Sequence, residues 1–281
     1  MRFLWIHFAL WKSGHISKTK TVKVTFKHQG EHLASARYRT IIPSRELAKL
    51  GVGQGSDWLI IGKHNWKWEE QVDGFKKVCY DVCDDHYSDF WAEHYTINTL
   101  RADVVTTNSD ELARIIHERT GRDAVVIPDP YEQPECLARV HGDSVLWFGH
   151  QSNLIDISKY VGKIKNLFIL TGAAGFKNQW TPEAMSSAFD KAGLVIIPTG
   201  KSMAKSGNRA IESIRRGLFV VHGYLPAYGD LGMYCGDIED GVKWALANPE
   251  QVVQRISMAQ NYVREMYCPT RIGKMWLEAL S

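Results

Sequence analysis

Residues 194–228 read LVIIPTGKSMAKSGNRAIESIRRGLFVVHGYLPAY: an apolar run (Leu194, Val195, Ile196, Ile197), a polar loop, a helical stretch and a second apolar run over 218–221. Short apolar runs bounded by turn signals read as buried strands, and Ile211, Ile214 and Leu218 recur at helical spacing between them. Asn208 and Glu212 stand one turn apart on the other side of that helix. Gly217 is placed to end it. A strand, loop, helix and strand in this order form a ligand-binding unit, because the helix start presents free N–H groups, here at Ser206 and Gly207, to an anion. Lys205 and Arg209 add positive charge beside it, or form a solvated basic face, and Glu212 offers a carboxylate that can accept from ribose hydroxyls, or pair on the helix surface with Arg209 or Arg216. That set of groups suits a nucleoside diphosphate.

Working outward, strand candidates at 3–8, 22–26, 58–61, 77–82, 104–106 and 124–127 alternate with helical stretches such as 37–50 and 110–119. Alternation of this kind predicts an α/β fold with a parallel, doubly wound sheet. Ser109 reads as the N-cap of the helix over 110–119, and Gly121 follows its end. Between 127 and 144, Pro128, Pro130, Pro134 and Gly142 break all periodicity, which marks a domain boundary. Beyond it, short apolar strands at 145–148, 167–170, 194–197 and 219–221 predict a second Rossmann-like domain. A helix over 249–266 follows; Pro269 breaks the chain, and residues 271–280 read as a final amphipathic helix. The expected division is residues 1–143 together with 264–281, and residues 144–263.

The chain has 281 residues, 44% of them hydrophobic, which suffices for two trimmed domains with substantial cores. A formal charge of +3 demands neither nucleic acid nor a membrane surface. The apolar run over 3–11 is interrupted by His7, is too short to span a bilayer and lacks a small-residue cleavage site before Lys12, so no transmembrane segment is expected. Five scattered cysteines do not make a disulfide framework, and the expected location is cytoplasmic. Cys79, Cys83 and His86 do not read as a metal site, because positions four apart on a strand are separated by roughly 13 Å. No metal ligands are expected.

Further candidates lie where αβ sheets place ligand contacts, at the carboxyl ends of strands. Gly149, His150 and Asn153 follow the first strand of the second domain and can contact a diphosphate or sugar, or form an ordinary turn. Gly172 and Gly175 follow the next strand, and Lys177 can supply positive charge. Asp81, Asp84, Asp85 and His86 end a strand of the first domain; they border the cleft or hydrogen-bond to backbone. Arg37 and Arg39 can clamp an anionic acceptor, or Arg37 can pair with an acid such as Glu31. Gly200, Lys201 and Ser202 resemble the end of a P-loop, but the earlier glycine would fall at Val195 inside the strand, so a P-loop kinase ranks low. Trp66, Lys67 and Trp68 can stack bases or sugars, although alternating aromatics are more often packing.

The run Lys205-Ser-Gly-Asn208-Arg209-Ala-Ile-Glu212, followed by a strand and Leu225-Pro226-Ala227-Tyr228, resembles the donor site of GT-B glycosyltransferases, most nearly the retaining nucleotide-sugar enzymes. Ser35-Ala-Arg37-Tyr38-Arg39 resembles their acceptor-side first helix, and residues 102–127 and 145–149 the end of the first domain and the opening of the second. The resemblance implies two Rossmann-like domains facing a cleft, with the last helix crossing back to the first domain. It implies transfer of a sugar from a nucleoside-diphosphate sugar to an acceptor hydroxyl, with retention, without an obligatory metal and without another cofactor. The acceptor would be a glycan, a lipid-linked or another hydroxyl compound; a nucleic-acid acceptor has little support in the charge. Lys205 and Arg209 would stabilise the departing diphosphate. Gly149, His150, Asn153, Gly172, Lys177, Ser206, Gly207, Asn208 and Glu212 would bind donor, and Arg37, Arg39 and His86 acceptor. If the reaction inverts instead, Asp84 or Asp85 is the expected base. The family often carries a glutamate eight positions before the one matched by Glu212, where this chain has Ala204. That departure motivates the alternative of a noncatalytic binding or partner subunit.

Overall fold

The computed structural model describes residues 22–27, 30, 33–62, 68–140, 142–173, 175, 179–200 and 202–281. The strand expected at 3–8, and Glu31, Trp66, Lys67, Lys177 and Lys201, lie outside the described residues. In the first half, β1 (Lys23–Phe26) leads into helix α1 (Ala34–Ala36), a π-helical segment (Arg37–Ile41) and α2 (Ile42–Lys49). β2 (Gly53–Gly62), α3 (Trp68–Val72), β3 (Lys77–Val82), α4 (Ala92–Arg101), β4 (Val104–Thr107), α5 (Asp110–Thr120) and β5 (Val125–Val126) follow. The second half runs β6 (Val145–Phe148), α6 (Leu154–Ser158), β7 (Leu167–Leu170), α7 (Pro182–Lys191), β8 (Leu194–Ile197), α8 (Asn208–Arg215), β9 (Phe219–His222), β10 (Tyr234–Cys235), α9 (Ile238–Ala247), α10 (Pro249–Met266) and α11 (Pro269–Ala279).

Two five-stranded parallel sheets result, ordered β1-β2-β3-β4-β5 and β10-β9-β8-β6-β7. Both faces of the first sheet are covered, which explains why its strands are apolar on both sides. Leu59 and Ile61 of β2 join Tyr80 and Val82 of β3 against α3, α4 and α5, through Trp68, Tyr95, Leu112 and Ile116. The alternate residues Trp58 and Ile60 face the other way, where Leu47 of α2 meets Ile272 and Trp276 of α11. The last helix therefore crosses back to the first domain. It does so closely, since a Cβ on Gly273 would lie 2.6 Å from Cβ of Glu46. Pro269, expected as a break, is the first residue of α11, a position where its missing N–H costs nothing.

Ser109 caps α5 by accepting from Leu112 N at 3.3 Å, and Gly121 closes that helix in the left-handed conformation at φ 71°. The proline-rich segment after β5 is fastened along α8. Cys136 N donates to Arg215 O at 2.8 Å and Arg139 N to Gly217 O at 3.0 Å. Gly217 itself ends α8 with φ 73°, and a Cβ there would lie 2.1 Å from Leu137 O. No helix among the described residues is long and apolar enough to cross a membrane.

Candidate active site

In the second sheet the chain steps from β6 to β7 on one side and then to β8 on the other, so strand order reverses between β6 and β8. At such a point the loops leaving the carboxyl ends diverge and open a crevice for ligand. Gly149 leaves β6 here. A Cβ on it would lie 3.1 Å from the Trp147 ring and 3.4 Å from Arg209 Nη1, so glycine lets the guanidinium lie against the strand end. Arg209 Nη1 also donates to Phe148 O at 3.4 Å. His150 caps the turn Gln151–Asn153, its Nδ1 accepting from Ser152 N at 3.3 Å. The turn presents Asn153, whose Oδ1 accepts from Lys205 Nζ at 2.6 Å. Burial, and then the neighbouring Arg209 charge, lower the Lys205 pKa, while Asp156 and Asp84 act in the opposite sense. Asp84 belongs to the first domain, so Lys205 is felt across the cleft.

Asn208 opens α8, with its N–H directed to Ser206 Oγ at 3.2 Å. The N–H groups of Ser206 and Gly207 meet no protein acceptor among the described residues. Lys205, Arg209, Asn153, Gly149 and this helix start are thus brought together. Gly172 lies two residues beyond the edge strand β7, with nothing within 4 Å of where its Cβ would be. Asp84 and Asp85 follow β3; Asp85 Oδ1 accepts from Tyr87 N at 3.1 Å, and Cys83 Sγ points to Asp84 Oδ2 at 3.7 Å. His86 pairs with Asp89 at 2.7 Å and packs on Tyr95 with ring centroids 4.8 Å apart. Trp68 is buried against Tyr80, which leaves it no face for stacking a ligand. Among the described residues no group of three His, Cys, Asp or Glu side chains is placed to hold a metal ion. Cys79 is enclosed beside Thr106, and burial pushes its thiol pKa up to about 12.

Two expectations are corrected. Glu212 does not face the crevice: its side is occupied by the interdomain segment. Oε1 accepts from Glu132 N at 2.7 Å and from Tyr38 Oη at 3.0 Å, and Oε2 accepts from Gln133 N at 2.9 Å. The residue is 3% exposed, and its burial pushes the carboxyl pKa up to about 7. Arg39 is not an acceptor clamp. Its Nε and Nη2 form a two-point pair with Asp81 at 3.0 and 2.6 Å, Nη1 reaches Asp129 at 3.2 Å, and the guanidinium lies over Trp276. Burial opposes its charge, yet Asp81 and Asp129 more than compensate and raise its pKa. Arg37 takes the acid-pairing alternative with another acid than Glu31: its Nε pairs with Glu132 at 2.9 Å, and the guanidinium stacks over Trp180.

Sequence reasoning missed Asp129, Tyr38 and Glu132, which tie the domains together. Ser206 Oγ donates to Asp129 Oδ2 at 2.5 Å, so the helix start that would receive phosphate is anchored to the first domain. The π-helical turn at Arg37–Ile41 widens the helix where Arg37, Tyr38 and Arg39 all reach this seam. Ala204 is 1% exposed and packs in the first domain's cluster with Tyr80 and Tyr95. A glutamate there would be buried among apolar groups.

No family model and no curated protein matches the chain. Solved structures do. Sucrose-phosphate synthase from Thermosynechococcus elongatus superposes with a TM-score of 0.63 at 10% identity, over 89% of this chain and 79% of that one. HepE from Anabaena in complex with UDP-glucose gives 0.61 at 12% identity, over 89% and 84%. A TarM mutant from S. aureus, in complex with fondaparinux, alpha-GlcNAc-glycerol and UDP, gives 0.58 at 14% identity over 85% of this chain. The chain spans 59% of the TarM chain. Two parallel α/β domains, a crevice at the β6/β8 reversal and a helix returning to the first domain define the class: this is the GT-B fold.

Proposed function

We propose that this protein is a glycosyltransferase that moves a sugar from a nucleoside-diphosphate sugar to an acceptor hydroxyl, with retention and without an obligatory metal. The observation that carries the reading is the placement of Lys205 and Arg209, with the start of α8, at the strand reversal of the second sheet. The UDP and UDP-glucose held by the TarM and HepE structures support a nucleotide-sugar donor. In the reaction the bond from the anomeric carbon to the diphosphate breaks and a bond to the acceptor oxygen forms. The acceptor proton passes to the departing diphosphate oxygen. Lys205 and Arg209 meet the negative charge that grows on that oxygen, and positioned charge of this kind is most effective where water is excluded. The acceptor enters from the first-domain side, bordered by Asp84 and Asp85. The location is the cytosol, in keeping with five free cysteines.

The test is a donor screen followed by transfer to hydroxyl acceptors. At least one nucleoside diphosphate should raise the melting temperature, and its sugar should be consumed in the presence of EDTA. Complete, metal-restorable loss in EDTA would overturn metal independence. The buried Ala204 and the engaged Glu212 favour one second reading, a noncatalytic GT-B subunit; donor binding with neither hydrolysis nor transfer would decide for it.

A further inference from the structure

With Glu212 engaged by the interdomain segment and Ala204 buried, neither family position supplies a carboxylate to the donor's hydroxyls. A diphosphate alone does not distinguish one donor from another. Specificity at hydroxyls requires acceptors that pair with them, and carboxylate oxygens form the stronger, charge-assisted bonds. Asp156 of α6 (Leu154–Ser158) offers a carboxylate beside the strand reversal. A Cβ on Gly200, in the loop leaving β8, would lie 2.7 Å from its Oδ2 and 3.0 Å from its Oδ1, so the carboxylate rests against the backbone on one side of the strand reversal. It sits close enough to Lys205 to act on that residue's charge. It is half-buried, and it makes no hydrogen bond or ion pair within 4 Å among the described residues. Among the described residues, a half-buried carboxylate with unused acceptor capacity thus lies beside Lys205, free to accept from a bound ligand. On electrostatics alone it would only oppose the binding of a diphosphate.

We infer that Asp156 reads a vicinal diol of the donor, accepting from two hydroxyls while Lys205 and Arg209 hold the diphosphate. The inference rests on the nucleotide-sugar reading above. The diol is that of the ribose or that of the transferred sugar, and different ligands separate the two. Gly200 belongs to the same device, because any side chain there would fill the space that the carboxylate occupies.

The experiment is calorimetry on wild type, Asp156→Ala and Asp156→Asn with pyrophosphate, UDP, 2′-deoxy-UDP and UDP-glucose, and with the GDP and ADP counterparts. Removing the carboxylate should leave pyrophosphate binding unchanged or tighter, since a negative charge has gone. If the ribose is read, Asp156→Ala weakens the nucleoside diphosphate roughly 10- to 100-fold relative to pyrophosphate, the loss expected for hydrogen bonds to a charged group. The 2′-deoxy ligand then shows a much smaller difference between wild type and variant. If the sugar is read, only the nucleotide-sugar is weakened. Asp156→Asn, which keeps the shape and one acceptor, falls between. Equal changes for pyrophosphate, diphosphate and nucleotide-sugar would overturn the role of Asp156 while leaving the donor site standing. Failure of every ligand to bind wild type would overturn the nucleotide-sugar reading itself, and this inference with it.

Discussion

Replacing Glu212 with alanine separates the structural role found for this residue from the ribose role that its place in the motif suggests. The substitution removes the acceptor for three donors at once, the N–H groups of Glu132 and Gln133 and the Tyr38 hydroxyl, all within 3.0 Å. Each donor left buried without a partner costs about 1–3 kcal/mol, and partial relief by entering water brings the total to roughly 3–5 kcal/mol. For a chain of this size that corresponds to a fall in melting temperature on the order of 10 °C. Differential scanning fluorimetry with parallel urea unfolding measures it. Calorimetry on the folded fraction at low temperature then reports whether donor affinity has gone as well. A variant that melts within about 2 °C of wild type but no longer binds any nucleoside diphosphate would refute the reasoning, because Glu212 would then be facing ligand and not the interdomain segment.

Burial raises the Glu212 carboxyl pKa from 4.5 to about 7, so the folded protein holds this proton more tightly than the unfolded chain does. Its contribution is therefore complete below about pH 4.5 and is lost as pH rises through 7. The difference in stability between wild type and Glu212→Gln, measured by urea unfolding from pH 4 to 8, should shift against wild type with rising pH; a flat difference would count against the buried carboxyl. Lys205→Ala and Arg209→Ala should each reduce turnover more than they weaken substrate binding, since the charge they meet is larger in the transition state. Steady-state rates showing wild-type turnover with only weaker apparent affinity would make their role uniform binding. Gly217→Ala should destabilise by roughly 2–3 kcal/mol or more in urea unfolding, because it combines a left-handed residue with a Cβ that would lie 2.1 Å from Leu137 O. An unchanged midpoint would show that the segment packed on α8 yields easily.

The strand, loop, helix and strand over residues 194–222 were legible because their signals are local. The apolar runs that became β6, β7 and β8 have the bounds that the sequence implied, and the α5 cap and its closing glycine follow from residue chemistry alone. The position of Lys205 and Arg209 beside the start of α8 was legible for the same reason: a cation at a helix start after a buried strand is visible within a few residues. Glu212 was misread because its partners lie 80 positions earlier in a segment that reads only as a break in periodicity. Arg39 was misread in the same way, since an exposed clamp and a buried pair with Asp81, 42 positions on, look identical in one dimension. The π-helical turn that carries Arg37, Tyr38 and Arg39 to the seam leaves no pattern in residue type. Pro269 was read as a break when it is equally suited to open a helix, and only the packing of α11 on α2 distinguishes the two.

The donor site stands or falls on binding of nucleoside diphosphates to wild type and to the Lys205→Ala/Arg209→Ala double variant, followed by thermal shift. The structure predicts that at least one of UDP, GDP, ADP and CDP raises the wild-type melting temperature in proportion to its occupancy, and that the double variant melts normally but gains nothing from it. No shift with any of the four, or the same shift in the double variant, would show that the crevice between β6 and β8 is not where this protein takes its donor.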